Sequence, residues 1–145
     1  MQKPKFIMIH HTAVSYQLNH DQFIANNRYH QQKFNFKSSL GYYLGYHYEI
    51  NKHGKIYQAR ADGEAAAACY QSNKNNGETI HIALDGNFDI EQPFALEVYA
   101  LRDLLRRLVG KYKLPKENIL FHRQFANKSC PGKNMDLNFV RNLAQ

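Results

Sequence analysis

Between Gln92 and Leu114 the residues Phe94, Val98, Leu101, Leu105, Leu108 and Tyr112 recur at alternating steps of four and three, the period of an α-helix with one buried face. Arg102, Asp103, Arg106 and Arg107 fall off that stripe, so the opposite face is solvated and basic. Pro93 fits the first helical turn, where its missing N–H leaves no bond unmade. A helix of this length buries its apolar face against a layer of comparable extent, and the rest of the chain offers strands for that layer.

Phe6–Ile9 is a short apolar run of strand formers, and Thr79–Leu84 is a second, closed by the turn residues Asp85, Gly86 and Asn87. A third run covers Asn118–Phe121. Two strand-like runs flank Asn51-Lys52-His53-Gly54, which reads as a hairpin. Its alternation predicts Tyr46, Tyr48 and Ile50 on one face and His47 and Glu49 on the other. Asp21–Phe34 spaces Phe23, Asn27, His30 and Phe34 as a helix does, with Asn19 or Asp21 as its cap and His30 as a helix-face or core histidine. Ala65–Glu78 passes from an alanine run into a polar loop and carries no readable chemistry. A last helix spans Asp136–Leu143. The mixed order of elements predicts an α/β fold with a central mixed β-sheet flanked by helices in three layers, formed by one domain over residues 1–145.

The formal charge is +7, which favours an anionic partner such as a cell-wall polymer, a phospholipid surface or a nucleic acid. The basic residues are scattered and form no short Lys/Arg run, so charge alone does not choose among these. Cys69 and Cys130 are the only cysteines, too few for a disulfide framework. The apolar run in MQKPKFIMIHH is too short for a signal peptide, and no stretch approaches membrane-spanning length. The chain is therefore expected to be made in the cytoplasm, without membrane insertion.

The stretch FHRQFANKSCPG, residues 121–132, concentrates the chemistry. It holds His122 and Cys130, both good zinc donors, with the ammonium of Lys128 between them placed to stabilise developing negative charge. A further donor comes from His10 or His11 at the end of the first strand. Adjacent strand residues point to opposite faces, so one metal takes one of the two. Three protein donors leave a coordination position open, as catalytic zinc sites do.

Four blocks, IMIHHTA, GYHY, TIHIALDGNFD and HRQFANKSCPG, stand in order across nearly the whole chain. Together they resemble the zinc-dependent N-acetylmuramoyl-L-alanine amidases, the family that includes phage T7 lysozyme and the peptidoglycan recognition proteins. The resemblance implies one Zn2+ per chain held by His10, His122 and Cys130, with Tyr46 and Lys128 in catalysis. It implies hydrolysis of the bond between N-acetylmuramic acid and L-alanine in peptidoglycan or soluble muropeptides, by a monomer without a nucleic-acid partner. Recognition relatives that bind without cutting often lack the cysteine, so Cys130 points to an enzyme. Without a signal peptide, such an enzyme is expected to reach the wall on lysis, as an endolysin does, or to recycle muropeptides in the cytosol. The chain departs from the family at the alanine run before Cys69 and at His81, where relatives carry a Gly-rich or His-bearing stretch and a Gly. No substrate-binding residue is assigned.

Overall fold

The computed structural model describes residues 1–16 and 21–145. Its centre is a five-stranded mixed sheet in the order β3-β2-β4-β1-β5, built from β1 (Phe6–His11), β2 (Tyr48–Ile50), β3 (Ile56–Gln58), β4 (Thr79–Leu84) and β5 (Ile119–Phe121). All neighbours pair in parallel except the β2–β3 hairpin, which forms an antiparallel edge. In the hairpin turn, Asn51 Oδ1 accepts from the N–H groups of His53 and Lys55, and Gly54 supplies the left-handed conformation at φ +86°.

Period-two alternation sorts the side chains of this sheet. Ile7 and Ile9, Tyr48 and Ile50, Ile80 and Ile82, and Ile119 and Phe121 face one way, into the main core. Two helices cover that face: α2 (Ala95–Tyr112) and, packed on it, α3 (Leu137–Leu143), whose first turn is capped by Asp136 accepting from Phe139 N. The remaining helix, α1 (Phe23–Phe34), belongs to the other side, where Asn26 Nδ2 donates to the buried Glu49 at 3.1 Å. The three expected layers are thus present.

Helix boundaries differ from the periodic reading. Phe94 is extended and caps α2, so Pro93 stands before the cap and outside the first turn. Phe94 is also half exposed, stacked on Tyr16 at 4.6 Å, and the buried face of α2 runs through Glu97, Ala100, Leu101, Leu104, Leu105 and Leu108. The stripe keeps Leu101, Leu105 and Leu108 but turns toward Glu97, Ala100 and Leu104 and away from Phe94, Val98 and Tyr112. At the start of α1 the cap is Gln22, with Asp21 Oδ1 accepting from Phe23 N at 3.2 Å, and Asn19 lies outside the described residues.

Glu97 is the exception on the buried face of α2. It is fully buried, accepts from the Tyr16 hydroxyl, and leaves Oε2 with no hydrogen-bond partner among the described residues. Burial, with Asp85 nearby, pushes its pKa up from 4.5 to about 9, so it is a neutral acid at pH 7. A group whose folded pKa is raised contributes stability fully below its unfolded pKa and loses it as pH rises through the folded one. Glu97→Gln, neutral at every pH, should therefore gain stability relative to the parent protein progressively between pH 4.5 and about 9. Urea unfolding midpoints at pH 5, 7 and 9 measure it, and a constant difference would contradict it.

Candidate metal centre

Strand register builds the site. β1 and β5 run parallel with Ile9 opposite Phe121, so the next residue of each, His10 and His122, leaves a neighbouring strand end on the face opposite α2. Their rings lie 4.7 Å apart. Cys130 reaches them from the loop after β5, with Sγ 3.7 Å from His10 Nδ1. One donor atom from each of the three lies within 4.8 Å of the others, a group able to hold a metal ion. His11 points the opposite way, and its Nδ1 accepts from Phe88 N at 3.1 Å. The strand alternation thus separates the two histidines as expected.

Protonation suits metal binding. Burial, reinforced by neighbouring His81 and His122, holds His10 well below the usual imidazole range, and burial with the nearby Lys128 lowers His122 to about 4. Both rings are neutral bases at pH 7. The thiol of Cys130 is driven the other way by burial, up to about 12, although Lys128 and Arg123 oppose the rise. A sulfur and one ring nitrogen from each of two neutral imidazoles converge in a pocket that makes an isolated thiolate costly, and a divalent cation offsets that cost. The residues therefore fit a metal with soft and borderline donors.

His10 Nε2 meets His81 Nδ1 at 2.8 Å, and His81 Nε2 meets the Lys74 carbonyl at 2.7 Å. His81 had no role in the sequence reading. In the sequence it stands out as a polar ring among Ile80, Ile82, Ala83 and Leu84, at a position where relatives carry Gly.

Tyr46 stands beside the metal group, its ring 5.0 Å from that of His10 and 5.4 Å from that of His30. This corrects the predicted alternation, which placed Tyr46 with Tyr48 and Ile50. Residues 45–47 form a bend, and the strand with its period of two begins only at Tyr48. α1 holds the bend in place: Asn27 Oδ1 accepts from Tyr43 N and Leu44 N at 2.7 and 2.9 Å, and His30 Nδ1 accepts from Gly45 N at 2.7 Å. A side chain at Gly45 would collide with the Ala67 carbonyl. His30 is thus a buried structural histidine, in keeping with its position on the helix face.

Lys128 is exposed and lines the same cleft as Tyr46, His122 and Cys130, a cavity of about 380 Å³. Two side chains outside the expected set shape its loop. The guanidinium of Arg123 donates to the carbonyls of Gly132 and Met135, both at 2.8 Å, while Arg123 N donates to Cys130 O at 2.8 Å. Asp89 accepts from Ser129 Oγ at 2.7 Å and Lys133 N at 2.9 Å. These contacts bracket Cys130 on both sides. They join residues distant in sequence, so no local pattern announces them.

An α/β protein with a two-histidine, one-cysteine group beside an open cleft is the class these observations define. A family model described as N-acetylmuramoyl-L-alanine amidase matches residues 1–133, and the chain belongs to that family. Peptidoglycan-recognition protein SD of Drosophila melanogaster is 30% identical over 115 residues, 79% of this chain and 56% of that protein. The chain spans about half the length of the curated relatives it matches. Among solved structures, N-acetylmuramoyl-L-alanine amidase LysC from Clostridium intestinale URNW superposes with a TM-score of 0.77 at 25% identity, covering 97% of this chain and 84% of that one. Drosophila peptidoglycan recognition protein SD superposes with a TM-score of 0.73 at 26% identity, covering 93% and 79%.

Because both imidazoles are already neutral and the thiol is protonated, uptake of a divalent metal should release one proton per ion at pH 6, where metal-bound water still keeps its protons. Calorimetry in buffers of different ionisation enthalpy counts it. Release of two or more protons would mean that the histidines start charged.

Proposed function

We propose that the chain is a zinc-dependent amidase that hydrolyses the bond between the lactyl group of N-acetylmuramic acid and L-alanine in peptidoglycan, in an endolysin-like, wall-lysing role. The observation that carries the reading is the convergence of His10, His122 and Cys130 within 4.8 Å beside a cleft also lined by Tyr46 and Lys128, in a chain of the amidase family. One zinc per chain would be held by those three donors, and when bound it supplies Lewis-acid chemistry, polarising a carbonyl and acidifying water.

The chain's own groups divide the remaining work. His10 and His122 stay neutral and so remain available as donors at working pH. Lys128, a compact cation on the cleft wall, stabilises the oxyanion that develops when the amide carbonyl is attacked. Tyr46 has its phenol pushed above the usual range by burial and by the neighbouring Cys130, so it keeps its proton. It acts as a hydrogen-bond donor that orients water or the leaving amine, and not as a base.

The cleft is large enough to seat a substrate segment and is open to a polymer. The charge of +7 draws the domain to an anionic wall, and the domain works as a monomer without nucleic acid. No helix among the described residues is long and apolar enough to cross a membrane. A second reading, a module that binds peptidoglycan without cutting it, is favoured by the likeness to peptidoglycan-recognition protein SD. Against it stands Cys130, which completes the donor set.

A digest of purified wall tests the proposal. New L-alanine amino termini should appear without new reducing sugar ends, and both chelator and Cys130→Ala should abolish them. Lys128→Met should keep the metal and lose about 10²- to 10³-fold in kcat. Reducing ends would make the protein a glycosidase, and wall retention without cleavage would establish the recognition reading. Faster cleavage of soluble muropeptides than of intact murein would replace the lytic role with recycling.

A further inference from the structure

We infer that His81 is a positioning residue for the metal centre: it fixes the tautomer of His10 and turns the bare Nδ1 of that ring toward Cys130. The inference rests on the metal reading of His10. His81 is fully buried in the middle of β4, and both of its ring nitrogens are engaged.

The direction of the chain of hydrogen bonds follows from its far end. The Lys74 carbonyl, 2.7 Å from His81 Nε2, only accepts, so the proton of His81 sits on Nε2. A neutral imidazole has one N–H, which leaves His81 Nδ1 as an acceptor. His10 Nε2, 2.8 Å away, must donate to it. The proton of His10 is thereby held on Nε2, and its Nδ1 is bare, 3.7 Å from Cys130 Sγ. With the opposite tautomer, His10 would present an N–H to the metal position and could not bind. A ligand histidine whose second nitrogen is held in this way is oriented and made a better donor.

His81 is itself seated firmly. Its backbone N donates to His47 Nδ1 at 3.0 Å, and His47 N donates back to the His81 carbonyl at 2.9 Å. The two rings lie nearly parallel, 5.8 Å apart. His47 Nε2 meets the Glu64 carbonyl at 2.8 Å, which sets its tautomer by the same rule. The Lys74 end is held as well: Asn75 Oδ1, one residue on, accepts from Ala68 N and Cys69 N, both at 2.9 Å. Two buried histidines thus connect backbone carbonyls of the loop over residues 64–75 to a metal donor. A histidine buried only for packing needs satisfied nitrogens and no particular tautomer in its neighbour. The measurable difference is therefore the proton position on His10.

Two-bond 15N–1H correlation spectra of the metal-free protein read that position directly. His10 and His81 should both show the Nε2–H tautomer. His81→Ala, confirmed folded by its amide spectrum, should give His10 as a tautomer mixture and weaken zinc binding about 10- to 100-fold in a chelator competition. His81→Asn, whose Oδ1 can stand in for Nδ1 as acceptor, should restore most of that loss. An Nδ1–H tautomer for His10 in the parent protein overturns the inference, whatever the variants do. So does a folded His81→Ala protein that binds zinc as tightly as the parent. If the parent protein binds no zinc, the zinc reading fails, and the His10 tautomer still decides the role of His81.

Discussion

Parallel pairing of β1 with its two neighbours is the constraint on which the rest depends. Because β5, β1 and β4 run the same way, their C-terminal ends open on one edge of the sheet, and side chains of the same parity leave on one face. Ile7, Ile9, Ile80, Ile82, Ile119 and Phe121 go to the core under α2, while His10 and His122 go to the other face. The hydrophobic alternation that makes the core therefore also aims the donors. A slip of one residue in β1 would send His10 to the core and put His11 in its place beside His122 and Cys130.

Burial then determines the chemistry. The same apolar surroundings that keep two imidazoles neutral make the Cys130 thiol reluctant to ionise, so the site is poised for a cation and poorly disposed to hold a free thiolate. Arg123 and Asp89 fix the loop from both ends, so the sulfur is positioned before any ligand arrives. Such preorganisation lets binding energy go into coordination instead of into ordering the loop.

The sheet and the long helix were legible in the sequence because each rests on a local pattern, and so were His122, Cys130 and one of His10 and His11 as candidate donors, with the family resemblance alone choosing His10. Apolar runs bounded by turn residues mark strands, a four-and-three repeat marks α2, and a histidine at a strand's end has a calculable direction. Tyr46 was misread for a physical reason: period two holds only inside a ladder, and residues 45–47 bend before the ladder begins. The start of α2 shifted because Phe94 is apolar yet pairs with Tyr16 at the rim, which periodicity cannot distinguish from burial. The roles of His81 and Arg123 could not be read because their partners lie far away or are backbone carbonyls, and nothing in side-chain spacing encodes those. The role of Glu97 in the buried stripe of α2 was hidden likewise, since an acid inside a helix normally marks the solvated face.

In the proposed metal centre two histidines and one cysteine hold the ion. X-ray absorption at the zinc edge of the loaded protein tests it most directly. The spectrum should require one sulfur at about 2.3 Å and two imidazole nitrogens at about 2.0–2.1 Å, with a light atom completing the shell. A shell without sulfur, or with a third imidazole, would contradict it.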